Sequence, residues 1–143
     1  MSGVHWKATR ESHPARDAAL ASMDAVSRGA KEEWLSLFAA DAVVEDPVGP
    51  SAFDPEGKGH HGWEAISAFW ETAIAQAERI EFFIDDSFAC GNEVANIGTI
   101  TTHLPDGSTM DAEGVFSYRV DDEGRVKALR AFWEFDRAVA TLR

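Results

Sequence analysis

The sequence has a single cysteine, a single tyrosine and few basic residues. Cys90 alone cannot form an intramolecular disulfide, which fits a reducing compartment. Thirteen basic residues against 25 acidic ones give a formal charge of −12, which disfavours nucleic acid and anionic membranes as partners. No apolar run approaches the ~18 residues that span a bilayer. No basic segment followed by an apolar one suggests a signal peptide. These absences predict a cytoplasmic protein.

Aromatic residues are abundant, and nearly all of them are phenylalanine or tryptophan. The chain of 143 residues is 45% hydrophobic and contains nine Phe and five Trp. This composition supports one packed core or a large apolar cavity with few phenol groups. Residues 1–13 are polar, so we expect them to form a loose N-terminal arm. We expect residues 14–143 to form a single domain.

Three helices are predicted in the first half of the chain. Ala15–Arg28 ends at Gly29, a residue that commonly stops helices, and a shorter helix covers Lys31–Ala39. The third helix has one wide apolar stripe at helical spacing. Its stripe consists of Ile66, Phe69, Trp70, Ala73, Ala77 and Ile80.

Strands dominate the second half. A first strand over Asp41–Asp46 is followed by four strand-like runs separated by turn signals: Ile80–Phe88, Glu93–Leu104, Ser108–Val120 and Val126–Phe135. Consecutive strands with short turns predict an antiparallel meander. The order of helices and strands predicts an α+β fold, in which the three N-terminal helices pack on a curved, mostly antiparallel sheet. Such a cone encloses a pocket suited to an apolar ligand.

Asp46 is the leading candidate for chemistry. It ends the run Val43-Val44-Glu45-Asp46 directly before Pro47. Proline stops a strand and fixes the backbone, so the carboxylate lies at a rigid corner. In apolar surroundings it could act as a base. The alternative is that Asp46 only accepts backbone hydrogen bonds at the start of a loop.

The histidines carry a weaker signal. His60 and His61 lie within the loop Pro47–Gly62, and the pattern favours a solvated loop. A metal site would need another ligand, for which His103 or Asp46 is available, but no spacing joins them. No metal site is therefore predicted. Whether this loop closes over a pocket, with a histidine as a mobile acid or base, stays open.

Several segments together resemble a known family. They are Trp34-Leu-Ser-Leu-Phe38, Asp41-Ala-Val-Val-Glu-Asp-Pro-Val-Gly49, Gly62-Trp-Glu-Ala-Ile-Ser-Ala-Phe-Trp70, Gly114-Val-Phe-Ser-Tyr-Arg-Val120 and Leu129-Arg-Ala-Phe-Trp133. The chain resembles the NTF2-like superfamily, within its SnoaL-like and ketosteroid isomerase-like (steroid delta-isomerase) branch. The Glu-Asp-Pro-Val-Gly segment is the most specific part of this resemblance.

The resemblance implies a function and a catalytic base. It implies an enzyme that shifts a C=C bond in a steroid or similar polycyclic ketone, with Asp46 moving the proton and no cofactor. The family's oxyanion donors, a Tyr and a protonated Asp, fall on Ser22 and Gly114, so both are missing here. Ser22, an ordered water, Trp133 and Tyr118 are open as replacements.

The resemblance also implies a binding pocket for a small, apolar, oxygenated ligand. The residues expected to contact this ligand are Ser22, Val26, Phe69, Trp70, Gly114, Phe116, Ala131 and Trp133. Two alternatives to an isomerase stay open. They are a non-catalytic protein that binds steroids or other hydrophobic ligands, and a SnoaL-type polyketide cyclase or dehydratase. A homodimer formed through the outer surface of the sheet is also expected from the family.

Overall fold

A meander of four long strands forms the centre of the sheet. The computed structural model describes residues 3–143. The strands are β4 (Arg79–Cys90), β5 (Glu93–His103), β6 (Thr109–Val120) and β7 (Val126–Phe132). Each pairs antiparallel with the next along the chain. The predicted meander is therefore present, with its ends within a few residues of those expected.

Three shorter strands complete the sheet. They are β1 (Val4–Trp6), β2 (Phe38–Glu45) and β3 (His60–His61), and the spatial order is β1-β4-β5-β6-β7-β2-β3. β1 pairs parallel with β4, and β2 pairs parallel with β7. The loose arm predicted over residues 1–13 thus contains a strand, because its apolar residues pair with an otherwise free sheet edge. Residues 1 and 2 of that predicted arm lie outside the described residues.

The first three helices cover one face of the sheet, whereas the fourth packs against β6 together with side chains of the opposite face. They are α1 (Pro14–Ser27), α2 (Lys31–Ser36), α3 (Gly62–Phe69) and a short α4 (Phe135–Val139). The second and third helices end earlier than predicted. The chain enters β2 at Phe38, and α3 passes at Trp70 into a π-helical turn, so Ile80 lies in β4. None of the helices within residues 3–143 is long and apolar enough to cross a membrane. The predicted α+β class is confirmed.

A pair of glycines brings the backbones of neighbouring strands unusually close. Gly98 on β5 faces Gly114 on β6 in the sheet register. A Cβ atom at Gly114 would lie 2.0 Å from the Phe132 carbonyl oxygen, and one at Gly98 would lie 2.1 Å from the Phe83 carbonyl oxygen. Side chains are sterically excluded at both positions, so the glycines let the sheet curve around the helices.

Candidate active site

The helices and the inner face of the sheet enclose a cavity of about 240 Å³. Alternation along the strands places apolar side chains on this inner face, such as Phe82 on β4, Ile100 on β5 and Phe116 on β6. Most of the wall is apolar. The polar side chains that line it are Ser22, Asp46, Thr72, Gln76, Thr102 and Tyr118.

Asp46 follows the end of β2 and lies in the wall of this cavity. The Asp46–Pro47 peptide bond is cis. The indole Nε1 of Trp133 donates a hydrogen bond of 2.7 Å to Asp46 Oδ1. The next residue but one, Val48, donates its backbone N–H to the Ala131 carbonyl oxygen at 2.9 Å. Contacts to the end of β7 therefore fix both the carboxylate and the chain that leaves it.

The surroundings of Asp46 favour its protonated form. Burial raises the pKa of Asp46 above its usual value, and the hydrogen bond from Trp133 opposes this rise. No lysine, arginine or histidine of the described residues lines the cavity. A carboxylate without a cationic partner in such a site is a stronger base than an exposed one.

A second polar group lies in the same cavity. Trp34 Nε1 donates to Ser22 Oγ at 3.0 Å, and Ser22 Oγ lies 2.9 Å from the Tyr118 hydroxyl oxygen. The three residues come from α2, α1 and β6, and each is at most 5% exposed. Burial raises the pKa of the Tyr118 phenol further above its usual value, so it is neutral at pH 7. The phenol can therefore donate a hydrogen bond at pH 7, and it does not act as a base there.

The structure brings together most of the predicted site residues. Those that line the cavity with Asp46 are Ser22, Val26, Phe69, Phe116 and Trp133. Three others are not among the lining residues.

The three residues that do not line the cavity have different physical reasons. Trp70 packs behind the wall, with its ring centroid 5.2 Å from that of Trp34. The short Ala131 side chain is fully buried and does not reach the cavity. Gly114 has no side chain, and none fits there because the Phe132 carbonyl is too close. An acidic donor at Gly114 is therefore excluded sterically in this backbone.

Sequence reasoning did not select Trp34 or Phe53 as ligand-contacting residues and named Tyr118 only among the open replacements for the missing donors, yet all three line the cavity. Tyr118 lies two residues after Phe116 and therefore on the same face of β6, so strand periodicity could have identified it. Trp34 lies in the helix predicted over Lys31–Ala39, but its position there does not by itself distinguish a core residue from one that lines a cavity. Phe53 lies in the irregular segment between β2 and β3, where no periodicity indicates which way a side chain points.

The two neighbouring histidines form the short strand β3 rather than a free loop. They pair with Val43 and Val44 of β2. The His60 ring lies against Phe69 with 4.9 Å between centroids, and burial lowers its pKa. His103 instead contacts Glu81 at 2.8 Å. Among residues 3–143 no group of three or more His, Cys, Asp and Glu side chains is arranged to hold a metal ion.

Comparison with known proteins identifies relatives of this fold and cavity. A model of the SnoaL-like domain family matches residues 19–129. The Δ5-3-ketosteroid isomerase of a Mycobacterium species is 36% identical over 92% of this chain and 100% of its own, with a TM-score of 0.86. No curated protein sequence matches the chain significantly.

Two further structures extend this similarity. A Mycobacterium tuberculosis protein in complex with estradiol-17beta-hemisuccinate is 35% identical, over 88% of this chain and 98% of its own, with a TM-score of 0.82. A computationally designed binder of 17-OHP is 34% identical, over 88% and 97%, with a TM-score of 0.83. A cyclase-like enzyme of salinomycin formation, at 17% identity and a TM-score of 0.72, shares the fold alone. The family match and the cone-shaped structure agree with the resemblance in the sequence, and the chain belongs to the SnoaL-like domain family of the NTF2-like superfamily.

Proposed function

We propose that this protein is a ketosteroid isomerase-like enzyme, which shifts a C=C bond in a steroid or similar polycyclic ketone by proton transfer through Asp46. The observation that carries the proposal is the position of Asp46. It is the one carboxylate among the described residues that line a largely apolar cavity, and it is held there by Trp133. The similarity to a mycobacterial Δ5-3-ketosteroid isomerase supports the same chemistry.

The reaction requires one base that can also return a proton. The Asp46 carboxylate removes a proton from the carbon between the ketone and the isolated double bond. The C–H electron pair moves toward the carbonyl oxygen and forms a dienolate. The carboxyl group of Asp46 then gives the same proton to the far carbon of the dienolate, which leaves a conjugated enone and a free carboxylate. The raised pKa of Asp46 suits this cycle, because the group must both accept and release the proton.

Isomerase activity is tested by following the ultraviolet absorbance of the conjugated enone formed from a Δ5-3-ketosteroid. Asp46→Asn keeps the shape and the hydrogen bond from Trp133 but removes the base, so kcat falls by about 10²–10⁴-fold. Glu45→Gln is the matched control, because the adjacent Glu45 carboxylate pairs with Arg130 at 3.0 Å and does not line the cavity. Unchanged turnover in Asp46→Asn overturns the proposal.

A second candidate function is binding without catalysis. It is favoured by the residues at the two positions where the family has its oxyanion donors, Ser22 and Gly114. It is also supported by the steroid-type ligands named for two relatives. Steroid titration followed by tryptophan fluorescence separates the two functions. Saturable binding without turnover favours a binding protein, or an enzyme for another ring system such as a SnoaL-type cyclase.

The protein is further proposed to form a homodimer in the cytoplasm. Ile97, Val115 and Phe132 are aligned across three strands on the outer face of the sheet, and Ile97 and Phe132 are 41% and 44% exposed. An apolar patch of this kind suits a two-fold contact between identical surfaces. Sedimentation of Ile97→Asp against wild type tests it: a lighter species is expected, and a monomeric wild type would contradict it. The lone Cys90 is consistent with a reducing compartment.

A further inference from the structure

The chain of hydrogen bonds from Trp34 through Ser22 to Tyr118 has a defined starting direction. An indole N–H donates and has no acceptor, so Ser22 Oγ must accept the 3.0 Å bond from Trp34. The Ser22 hydroxyl then has its own proton to donate. Its other polar neighbour is the Tyr118 hydroxyl oxygen at 2.9 Å. When Ser22 donates to this oxygen, the phenol proton of Tyr118 is free to point elsewhere.

The free phenol proton is available to a ligand in the cavity. Tyr118 lines the cavity that also contains Asp46, and within residues 3–143 its hydroxyl has Ser22 as its hydrogen-bond partner. A hydroxyl that accepts one hydrogen bond is polarised and donates the next one more strongly. The chain of Trp34, Ser22 and Tyr118 therefore ends in a strengthened donor that faces the ligand space.

The same geometry leaves Asp46 with an open oxygen. Trp133 occupies Oδ1, and the structure places no hydrogen bond from the described residues on Oδ2. The negative charge of Asp46 also raises the pKa of the Tyr118 phenol and so disfavours its ionisation. The same cavity thus holds a base with a free oxygen and a neutral hydroxyl with a free proton, the two groups that an enolisation uses.

We propose that Tyr118 donates the hydrogen bond that stabilises the enolate oxygen of the substrate, and that Ser22 and Trp34 are positioning residues that direct its proton into the cavity. This inference rests on the proposed isomerase function. Negative charge on the carbonyl oxygen grows as Asp46 takes the proton, and the hydrogen bond from Tyr118 strengthens with it. When the proton returns to carbon, the charge disappears and the bond weakens, so the donor favours the transition state over the bound ketone.

The contributions of the three hydrogen-bonded residues are compared by measuring kcat for conversion of the Δ5-3-ketosteroid to the conjugated enone. Tyr118→Phe removes the donor and lowers kcat by about 10²–10³-fold. Ser22→Ala removes the hydrogen bond that orients the Tyr118 hydroxyl and lowers kcat by about tenfold. Ser117→Ala is the control: Ser117 precedes Tyr118 on β6, but its hydroxyl donates to the Arg130 carbonyl oxygen at 3.0 Å and does not line the cavity, so kcat stays near that of wild type. A larger loss in Ser22→Ala than in Tyr118→Phe overturns the inference, because Ser22 would then be the direct donor.

A second measurement tests the donor without any turnover. Tyr118 is the only tyrosine of the sequence, so tyrosine labelled with ¹³C at Cζ gives a single assigned resonance. The probe is 2-naphthol, whose aromatic hydroxyl stands in for an enol. A saturable shift of this resonance is expected in wild type and in Asp46→Asn, with a smaller shift in Ser22→Ala. Absence of a saturable shift in wild type overturns the inference.

The two measurements separate the failure of the inference from the failure of the proposed function. Wild-type turnover that Tyr118→Phe leaves intact overturns the role of Tyr118 while the isomerase function stands. No turnover in wild type, together with a saturable Tyr118 shift that Ser22→Ala reduces, overturns the isomerase function and supports the donor chain as a ligand-binding device. The unfolding midpoints of all variants show whether a lost signal comes from a lost fold.

Discussion

The two faces of the sheet treat charge in opposite ways. On the outer face, acidic residues are paired with basic ones, as in Glu81 with His5 and His103, or Asp111 with Arg143. On the inner face, Asp46 is the one charged side chain of the described residues that line the cavity. The strands supply both faces by alternation. The large negative charge of the chain is therefore kept almost entirely away from the cavity. The single carboxylate there has a raised pKa because it is buried in largely apolar surroundings.

The contrast between the faces is broken most severely by a second carboxylate on the inner one. Ala112→Asp places an unpaired charge in the cavity wall and lowers the free energy of unfolding by about 3–5 kcal/mol at pH 7. Ala95→Asp is the matched change on the outer face, because its neighbours Val94 and Asn96 point inward, and it costs about 1 kcal/mol or less. Urea unfolding measures both. Equal losses would mean that the inner face tolerates charge.

The next largest effect is expected where the strands approach most closely. Gly114→Ala forces its Cβ against the Phe132 carbonyl oxygen, and we expect a loss of about 3 kcal/mol in unfolding free energy. Gly107→Ala is the control, because Gly107 has a φ of +90° and open space around it. Its cost is about 1 kcal/mol from backbone strain alone. A Gly114→Ala protein as stable as the control would show that the strands can move apart freely.

The hydrogen bond between Trp133 and Asp46 on the inner face can be tested through the pH dependence of kcat/KM. Trp133→Phe removes a contact that lowers the pKa of Asp46, so this pKa rises further. The acid limb of the kcat/KM profile then moves to higher pH, and kcat falls by about tenfold. Trp63→Phe alters an indole that is 52% exposed and bonded to the Phe38 carbonyl oxygen, and it leaves the limb in place. A limb unmoved by Trp133→Phe contradicts the assignment to Asp46.

Asp46 itself is expected to cost stability. Its folded-state pKa is raised, so the folded protein binds more protons than the unfolded chain between the unfolded and folded pKa values. Stability from this group is therefore present at low pH and lost as the pH rises through the folded pKa. Asp46→Asn should unfold at a slightly higher temperature than wild type at pH 7, with the gain vanishing toward pH 3. Thermal scans at both pH values check this, and a gain that grows on acidification would contradict it.

The smallest effect belongs to an ion pair on the outer face. Glu45 and Arg130 lie 3.0 Å apart, and both side chains are partly exposed. A double-mutant cycle with Glu45→Gln and Arg130→Met should give a coupling of about 0.5 kcal/mol or less, falling with added salt. A coupling several times larger would mean that the outer face stabilises its charges as strongly as the inner face excludes them.

The sequence predicted the fold better than the details of the site. The four meander strands and the apolar inner face followed from alternation and turn residues, because both signals are local. Asp46 was found from its position between a strand and a proline. The neighbours of Asp46 depend on which strands lie side by side, so its bond to Trp133 had no local signal. The close approach of the Phe132 carbonyl oxygen, which excludes a side chain at Gly114, likewise has no signal in the sequence.

The pairing of β2 with β7 has a consequence for how the protein acquires its function. Trp133 and Asp46 are 87 residues apart in sequence, and Ser22 and Tyr118 are 96 apart. Contacts between such distant residues form only when the intervening loops close, which is the slow part of folding. A folding intermediate with the meander alone would have strands but no cavity chemistry. Ligand binding therefore reports the contacts between the last strands and the first half of the chain, and not the formation of the meander alone.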